Sequence, residues 1–406
     1  MTSRLKDIEE AADVVREGIV RTPFTHSKTL SNITGADIQL KFENYQFTAS
    51  FKDRGALAKL SSLTSEERKA GVIAMSAGNH AQAVAYHAQN LGLSSTIVMP
   101  YATPDIKVQS TQAFGAEVVL HGRGFDEAAS FTRELAKDKG LVLIHPYDDE
   151  KIISGQGTIA LEMLQEQSDL DVLIIPVGGG GLIAGCATAA KLIQPGIEVI
   201  GVQTGRFPAV QQALQGVPIE CQETTIADGI AVKKPGELTV PLIREFVDEI
   251  LLVKEDEIEK SILLLLEVEK TVVEGAGAVG LTAVLEHQDR FEGRKVGLIL
   301  SGGNIDLLVL SSIMQRGLAR SGRLVRLCVG IPDVPGTLAN ISCIFGELNA
   351  NIIEVRHQRA FTNLSLRVAE VEFIVQALGM VHVREILKKL KDNEYDARIL
   401  DASLVE

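Results

Sequence analysis

A few short stretches of this chain hold residue types that could do chemistry. Thr48-Ala-Ser-Phe-Lys-Asp-Arg-Gly-Ala56 carries Lys52 at its centre. Ser50 is a good helix N-cap, and Asp53 three residues later completes the pattern of a capping box, so Lys52 falls in the first turn of a predicted helix. An ammonium there faces the positive end of the helix dipole, which with some burial favours a neutral, nucleophilic amine. The plain alternative is a solvated lysine, and only the rest of the chain can argue against it. Gly178, Gly179, Gly180 and Gly181 follow an apolar run and precede a helical one. Successive backbone N–H groups in such a loop can turn toward one anion, with the helix N-terminus adding partial positive charge. Gly179, Gly181 and Ala184 also fit G-x-G-x-x-A. A dinucleotide site wants an acidic residue about twenty residues on, where this chain has Gly201-Val-Gln-Thr204, so that reading is set aside.

Two polar loops fall at the ends of predicted strands, where open α/β sheets bind ligands. In Ser76-Ala-Gly-Asn-His80 the amides can receive a substrate carboxylate and Asn79 can bond a cofactor or substrate oxygen. A capped turn with a surface His80 is the simpler reading of those residues alone. Ser301-Gly-Gly-Asn304 stands in the same kind of place, and Glu274 with Gly275 and Gly277 reads as a structural turn.

The elements that must position these groups alternate in type. Short apolar strands at 72–76, 96–99, 117–121 and 141–145 are separated by helices at 79–91, 104–114 and 126–138. A strand at 37–43 precedes them. The rhythm resumes with a helix at 155–165, strands at 172–177, 198–203, 250–253 and 295–301, and helices after Gly181 and at 255–273 and 276–287. Short buried strands alternating with helices imply parallel sheets covered on both faces. The fold class is therefore α/β, with two open parallel-sheet units, the first inserted into or leaning on the second, and a ligand cleft between them. Residues 316–323 turn basic and suit a linker. Beyond them, strands at 324–331, 352–357, 364–371 and 397–400 and helices at 337–348 and 381–391 give the order βαββαβ of a ferredoxin-like domain.

A length of 406 residues suits two or three domains, and a 46% hydrophobic fraction suits a large core. The net charge of -13 excludes nucleic acid and anionic membrane as principal partners. Cys186, Cys221, Cys328 and Cys343 lack metal-type spacing and read as buried thiols of a reducing compartment. The acidic, amphipathic start reads as a surface helix of a cytoplasmic protein, and no apolar run approaches a membrane span.

A lysine at a strand-to-helix junction, a polyglycine anion nest and two polar loops at sheet ends together point to pyridoxal phosphate, which needs a lysine partner, a phosphate site and ring contacts. Ser-Phe-Lys52-Asp-Arg-Gly, Ser76-Ala-Gly-Asn-His-Ala-Gln, Gly178-Gly-Gly-Gly-Leu and Ser301-Gly-Gly-Asn resemble the fold type II pyridoxal-phosphate enzymes, most closely the threonine dehydratases, also called threonine ammonia-lyases. The resemblance covers about residues 5–320. Asp333-Val-Pro-Gly-Thr-Leu looks like an ACT regulatory domain over residues 324–406. A catalytic domain over 1–320, with a small subdomain at about 49–150, follows from it.

The resemblance implies roles residue by residue. Lys52 is the Schiff-base lysine and the base at Cα, Phe51 packs beside the ring, Asn79 meets the ring 3-hydroxyl and Ser301 the ring nitrogen. Gly178, Gly179, Gly180 and Gly181 hold the phosphate. Ser76, Ala77, Gly78, Asn79 and His80 take the substrate carboxylate. The reaction implied is L-threonine to 2-oxobutanoate and ammonia, with L-serine to pyruvate beside it. A dehydratase of L-serine or 3-hydroxyaspartate, or a non-catalytic amino-acid sensor, are the competing readings. Serine racemases carry a second serine where this chain has Ala77, so racemisation is not expected. Glu223 and Asp228 fall where relatives hold an activating cation, against the simpler reading of a solvated acidic loop. Pro335, Gly336, Thr337 and Leu338, with Asn351 and Ile352, are implied to line an amino-acid pocket for isoleucine or valine. A homodimer or homotetramer is implied.

Overall fold

The computed structural model describes residues 2–358 and 368–400. The chain divides into two compact units, Met1–Ile305 and Asp306–Glu406. The first holds two sheets. The larger runs in the order Phe24–His26, Asp37–Lys41, Lys295–Ile299, Val172–Pro176, Glu198–Thr204, Glu249–Val253, and only its first pair is antiparallel. The smaller runs Glu117–Leu120, Ser95–Met99, Val72–Met75, Val142–Leu143, all parallel. Its strands fall in the chain between Asp37–Lys41 and Val172–Pro176, so the small sheet is inserted into the large one, as the alternation predicts.

Val72–Met75, Ser95–Met99 and Val172–Pro176 are buried at every position, as strands covered on both faces must be. Ile159, Met163, Leu173, Ile183 and Val199 pack in the core of the large sheet, and Leu60, Val84, Ile97 and Ile144 in that of the small one. The helix Lys52–Ser61 touches Glu150–Glu166 backbone to backbone: a Cβ on Gly155 would lie 2.8 Å from Arg54 O and 2.8 Å from Gly55 Cα.

A charged cluster reinforces it. Arg54 is wholly buried and donates to Glu43 from Nε and Nη2, both at 2.8 Å, and to Glu162 at 2.7 and 2.8 Å. Lys41, also buried, donates to Glu162 at 2.7 Å and to Thr22 O at 2.8 Å. Burial opposes the guanidinium charge, yet the two carboxylates outweigh it and raise the Arg54 pKa.

The second unit has the antiparallel order Asn351–Gln358, Val368–Gln376, Leu324–Pro332, Asp396–Ile399, with helices Thr337–Glu347 and Met380–Asp392. From Leu324 on, its chain order is the predicted βαββαβ. Val325, Leu327, Phe345, Phe373 and Ile386 form its core. Of the strand predicted at 364–371, residues 364–367 lie outside the described residues.

Three expectations change. The helix predicted at 255–273 ends at Val268, because Lys270 takes a left-handed conformation at φ 56°. Residues 316–320, predicted as linker, close the helix Leu307–Arg320, which the Asp306 side chain caps by accepting from Leu308 N at 2.7 Å. Its N-cap and long apolar residues outweigh the local basic and glycine content. The cysteines are all free, but only Cys186 and Cys328 are buried, while Cys343 is exposed. Among the described residues no helix is long and apolar enough to cross a membrane.

Candidate active site

Lys52 opens the helix Lys52–Ser61, as predicted, but the capping box does not form. Phe51 is the N-cap and Ser50 Oγ only reaches Lys52 N at 3.4 Å. Ala49 turns the chain through a left-handed residue at φ 55°, which brings Thr48 back over the helix start. The Asp53 carboxylate then accepts from Thr48 N at 3.0 Å and from Thr48 Oγ1 at 2.5 Å. The Lys52 amine donates to Pro146 O at 2.6 Å and lies 5.1 Å from the Phe51 ring centroid. Burial lowers its pKa to about 8, with the Glu274 charge opposing. Burial thus makes the amine easier to deprotonate.

The two polar loops converge. Asn79 begins the helix Asn79–Asn90 behind the strand Val72–Met75, and Asn304 follows the strand Lys295–Ile299. Asn304 Nδ2 donates to Asn79 Oδ1 at 2.7 Å and to Thr48 O at 2.8 Å. Asn79 Nδ2 donates to Glu274 Oε1 at 2.8 Å. Ser301 is buried, and its carbonyl accepts from Phe51 N at 3.0 Å. Residues spread over most of the first unit's length are in this way held in one network.

Glu274, read from the sequence as part of a structural turn, is a central member. It is 4% exposed, and burial first, then the Asp228 charge, push its carboxyl up to about 7 against the Asn79 bond and Lys107. Its signal in the sequence was a lone carboxylate in the apolar and glycine run Val272-Val-Glu-Gly-Ala-Gly277. Tyr147, Pro146 and Asp148 were missed altogether. The Asp148 carboxylate accepts from Glu237 N and Leu238 N at 2.9 and 2.8 Å, and Tyr147 OH donates to Lys234 O at 2.8 Å.

His80 departs from the surface position expected of it. It is buried with Nε2 2.9 Å from Ile144 O, and burial, with the Lys52 charge, lowers its pKa to about 3. The ring is neutral and turned into the core. Ser76 Oγ accepts from Gly78 N at 3.1 Å, which shapes the turn ahead of Asn79, and Ala77 is half-buried.

Glu223 is exposed, and Asp228 lies 3.7 Å from Lys107 Nζ. Among the described residues no group of three or more His, Cys, Asp and Glu side chains gathers to hold a metal ion. Within the second unit, Gly336 caps the helix Thr337–Glu347 at φ 94°, beyond the strand end at Pro332. Asn351 starts its strand opposite Gln376, level with Leu324 at the far end of the sheet from Pro332. Pro335, Gly336, Thr337 and Leu338 therefore lie at one end of the sheet in a single copy, and Asn351 and Ile352 at the other.

The family model for pyridoxal-phosphate-dependent enzymes matches residues 15–302. The chain belongs to this family. A Thermotoga maritima protein described as L-threonine ammonia-lyase is 44% identical over 98% of the chain and 99% of its own length. Among solved structures, the processed form of threonine deaminase isoform 2 from Solanum lycopersicum is 37% identical, with a TM-score of 0.74 over 78% of this chain and 88% of that one. Maize serine racemase is 34% identical, with a TM-score of 0.72 over 77% and 97%.

The glycine loop fits the phosphate of the family's cofactor. Gly180 has φ 101°, and a Cβ there would lie 2.6 Å from Thr239 Oγ1. One on Gly179 would meet the Tyr147 ring at 2.5 Å, and one on Gly181 would lie 2.9 Å from Tyr147 Cα. Only glycines fit between these walls. The helix Gly181–Ile193 starts at this loop with no side-chain cap, so its first amides are donors for an anion. Pyridoxal phosphate is the cofactor.

Proposed function

We propose that this enzyme is a threonine ammonia-lyase, converting L-threonine to 2-oxobutanoate and ammonia and also taking L-serine to pyruvate and ammonia. The observation that carries the reading is the Lys52 amine, its pKa lowered by burial beside the Asn79, Asn304 and Glu274 network, in a chain that matches an L-threonine ammonia-lyase along almost its whole length.

When bound, pyridoxal phosphate supplies an electron-withdrawing ring that makes the substrate Cα–H acidic and the β-hydroxyl able to leave. Lys52 is the residue that binds it covalently at rest and, as a free neutral amine, takes the Cα proton. Gly178, Gly179, Gly180 and Gly181 hold the phosphate through backbone N–H groups. Phe51 would pack beside the ring, Asn79 would donate an N–H to the ring 3-oxygen, and Ser301 would meet the ring nitrogen as a neutral partner, which would suit prompt β-elimination. Ser76, Ala77, Gly78 and Asn79 present the turn that takes the substrate carboxylate, while His80 supports that turn from the core.

Serine is accepted because one methyl is worth only about 1 to 3 kcal/mol of discrimination. The test is the purified protein itself. It is expected to be yellow and to release 2-oxobutanoate from threonine and pyruvate from serine. A colourless protein that cannot be reconstituted would leave only a sensor on this fold.

The second unit is proposed as an ACT-type regulatory domain for isoleucine or valine. Its two sets of candidate pocket residues lie at opposite ends of one sheet, which favours a pocket shared between copies and hence a homodimer or homotetramer. Threonine saturation curves with and without isoleucine and valine, together with sedimentation, test both points. No response to either amino acid would remove the sensing role. The free thiols favour a cytoplasmic site of action.

A further inference from the structure

The roles above leave the Glu274 carboxyl unused, although it is buried beside Asn79. The two bonds on Asn79 settle its amide completely: Oδ1 accepts from Asn304 at 2.7 Å and Nδ2 donates to Glu274 at 2.8 Å. An amide nitrogen has two hydrogens, so with one on Glu274 the other can go to a ring oxygen. Were the amide reversed, its NH₂ would face the Asn304 NH₂, which the bond to Thr48 O holds in place, a repulsive contact. The surroundings leave room for this carboxyl and little else. A Cβ on Gly302 would collide with Glu274 Oε1 and lie 3.1 Å from Asn79 Nδ2, and one on Gly229 would lie 3.2 Å from Glu274 Oε1. Asn304 is itself held by its bond to Thr48 O at 2.8 Å, four residues before Lys52.

We infer that Glu274 and Asn304 are positioning residues that lock the amide of Asn79 with an N–H toward the 3-oxygen of the cofactor ring. The inference rests on the proposed role of Asn79 as the partner of that oxygen. The lock sets the tilt of the ring and the strength of its hold without either residue touching the reacting atoms. It also joins the two sheets of the first unit through side chains, since Asn79 follows a strand of the small sheet and Asn304 one of the large sheet.

The test compares holoenzymes carrying Glu274→Gln, which keeps an acceptor oxygen, and Glu274→Met, which keeps the volume and loses the acceptor. The readouts are the cofactor dissociation constant and the absorbance and fluorescence spectra of the bound cofactor. Glu274→Met is expected to weaken cofactor binding about tenfold or more and to shift the spectra, while Glu274→Gln stays within about threefold of the unaltered enzyme. Equal effects of Met and Gln would show that the site needs only volume, and would overturn the inference. A double-mutant cycle separates the two levels of the argument. In an Asn79→Ala background, Glu274→Met is expected to add nothing further. If it adds its full effect, Glu274 does not act through Asn79 and the inference fails alone. If Asn79→Ala leaves both affinity and spectra unchanged, the proposed role of Asn79 fails, and the inference with it.

Discussion

Arg54 and Lys52 are two residues apart on one helix, yet the buried charges around them have opposite characters. Around Arg54 every charge meets an opposite one: Glu43 and Glu162 accept from the guanidinium, and Glu162 also accepts from Lys41. Burial works against the Glu162 charge, but the Arg54 and Lys41 partners win and lower its pKa. Around Lys52 the hydrogen-bond partners are neutral. The amine bonds a carbonyl and Glu274 bonds an amide, so burial moves them to about 8 and about 7. Buried charge that is paired stays charged and serves as scaffold, whereas buried charge with neutral partners becomes a movable proton near physiological pH.

The largest effect is expected at Lys52. Lys52→Ala is expected to abolish the visible absorbance of the cofactor and to cut 2-oxobutanoate formation by about 10³-fold or more, while the apoenzyme unfolds at no lower a urea midpoint. A comparable loss of stability would erase the contrast between the two groups. Arg54→Met should do the reverse, leaving Glu43 and Glu162 buried without their partner and costing about 3 to 5 kcal/mol in urea unfolding.

Glu274→Gln gives a smaller effect that tests the sign of the argument. The carboxyl is raised in the folded state, so its protonated form stabilises the fold below the unfolded value near 4.5, and that contribution is lost as pH rises to about 7. Glu274→Gln is therefore expected to stabilise the apoenzyme by about 3 kcal/mol at pH 8 and by close to nothing near pH 4.5, read from urea unfolding at the two pH values. A stabilisation that does not change with pH would mean that the carboxyl is not desolvated. The smallest effect is expected at Ser76, whose hydroxyl only shapes a turn. Ser76→Ala should raise KM for threonine about threefold with kcat nearly unchanged, which steady-state kinetics will show.

The backbone setting of the candidate site was legible where its signals are local. Lys52 in the first turn of a helix, the four glycines after an apolar strand and the polar loops at strand ends each declare a backbone geometry within a few residues. The inserted small sheet was legible from the alternation of short strands and helices. The rest was not, because its signals are pairwise across the fold. Nothing near Glu274 says that Asn79 will face it, and nothing near His80 says that its ring will find Ile144 O. The helix Leu307–Arg320 was hidden because basic and glycine content masked a good N-cap at Asp306.

By itself, then, the sequence determined the alternation of short strands and helices, the glycine and polar loops at strand ends, and that a lysine lies in the first turn of one helix. Tertiary structure decided what that lysine is. Ser50 and Asp53 suggested a helix-end dipole with some burial as the influences on Lys52, and the fold supplied the burial and a bond to a neutral carbonyl without the capping box. Desolvation depends on what packs around a group from distant parts of the chain, and local sequence does not contain that information.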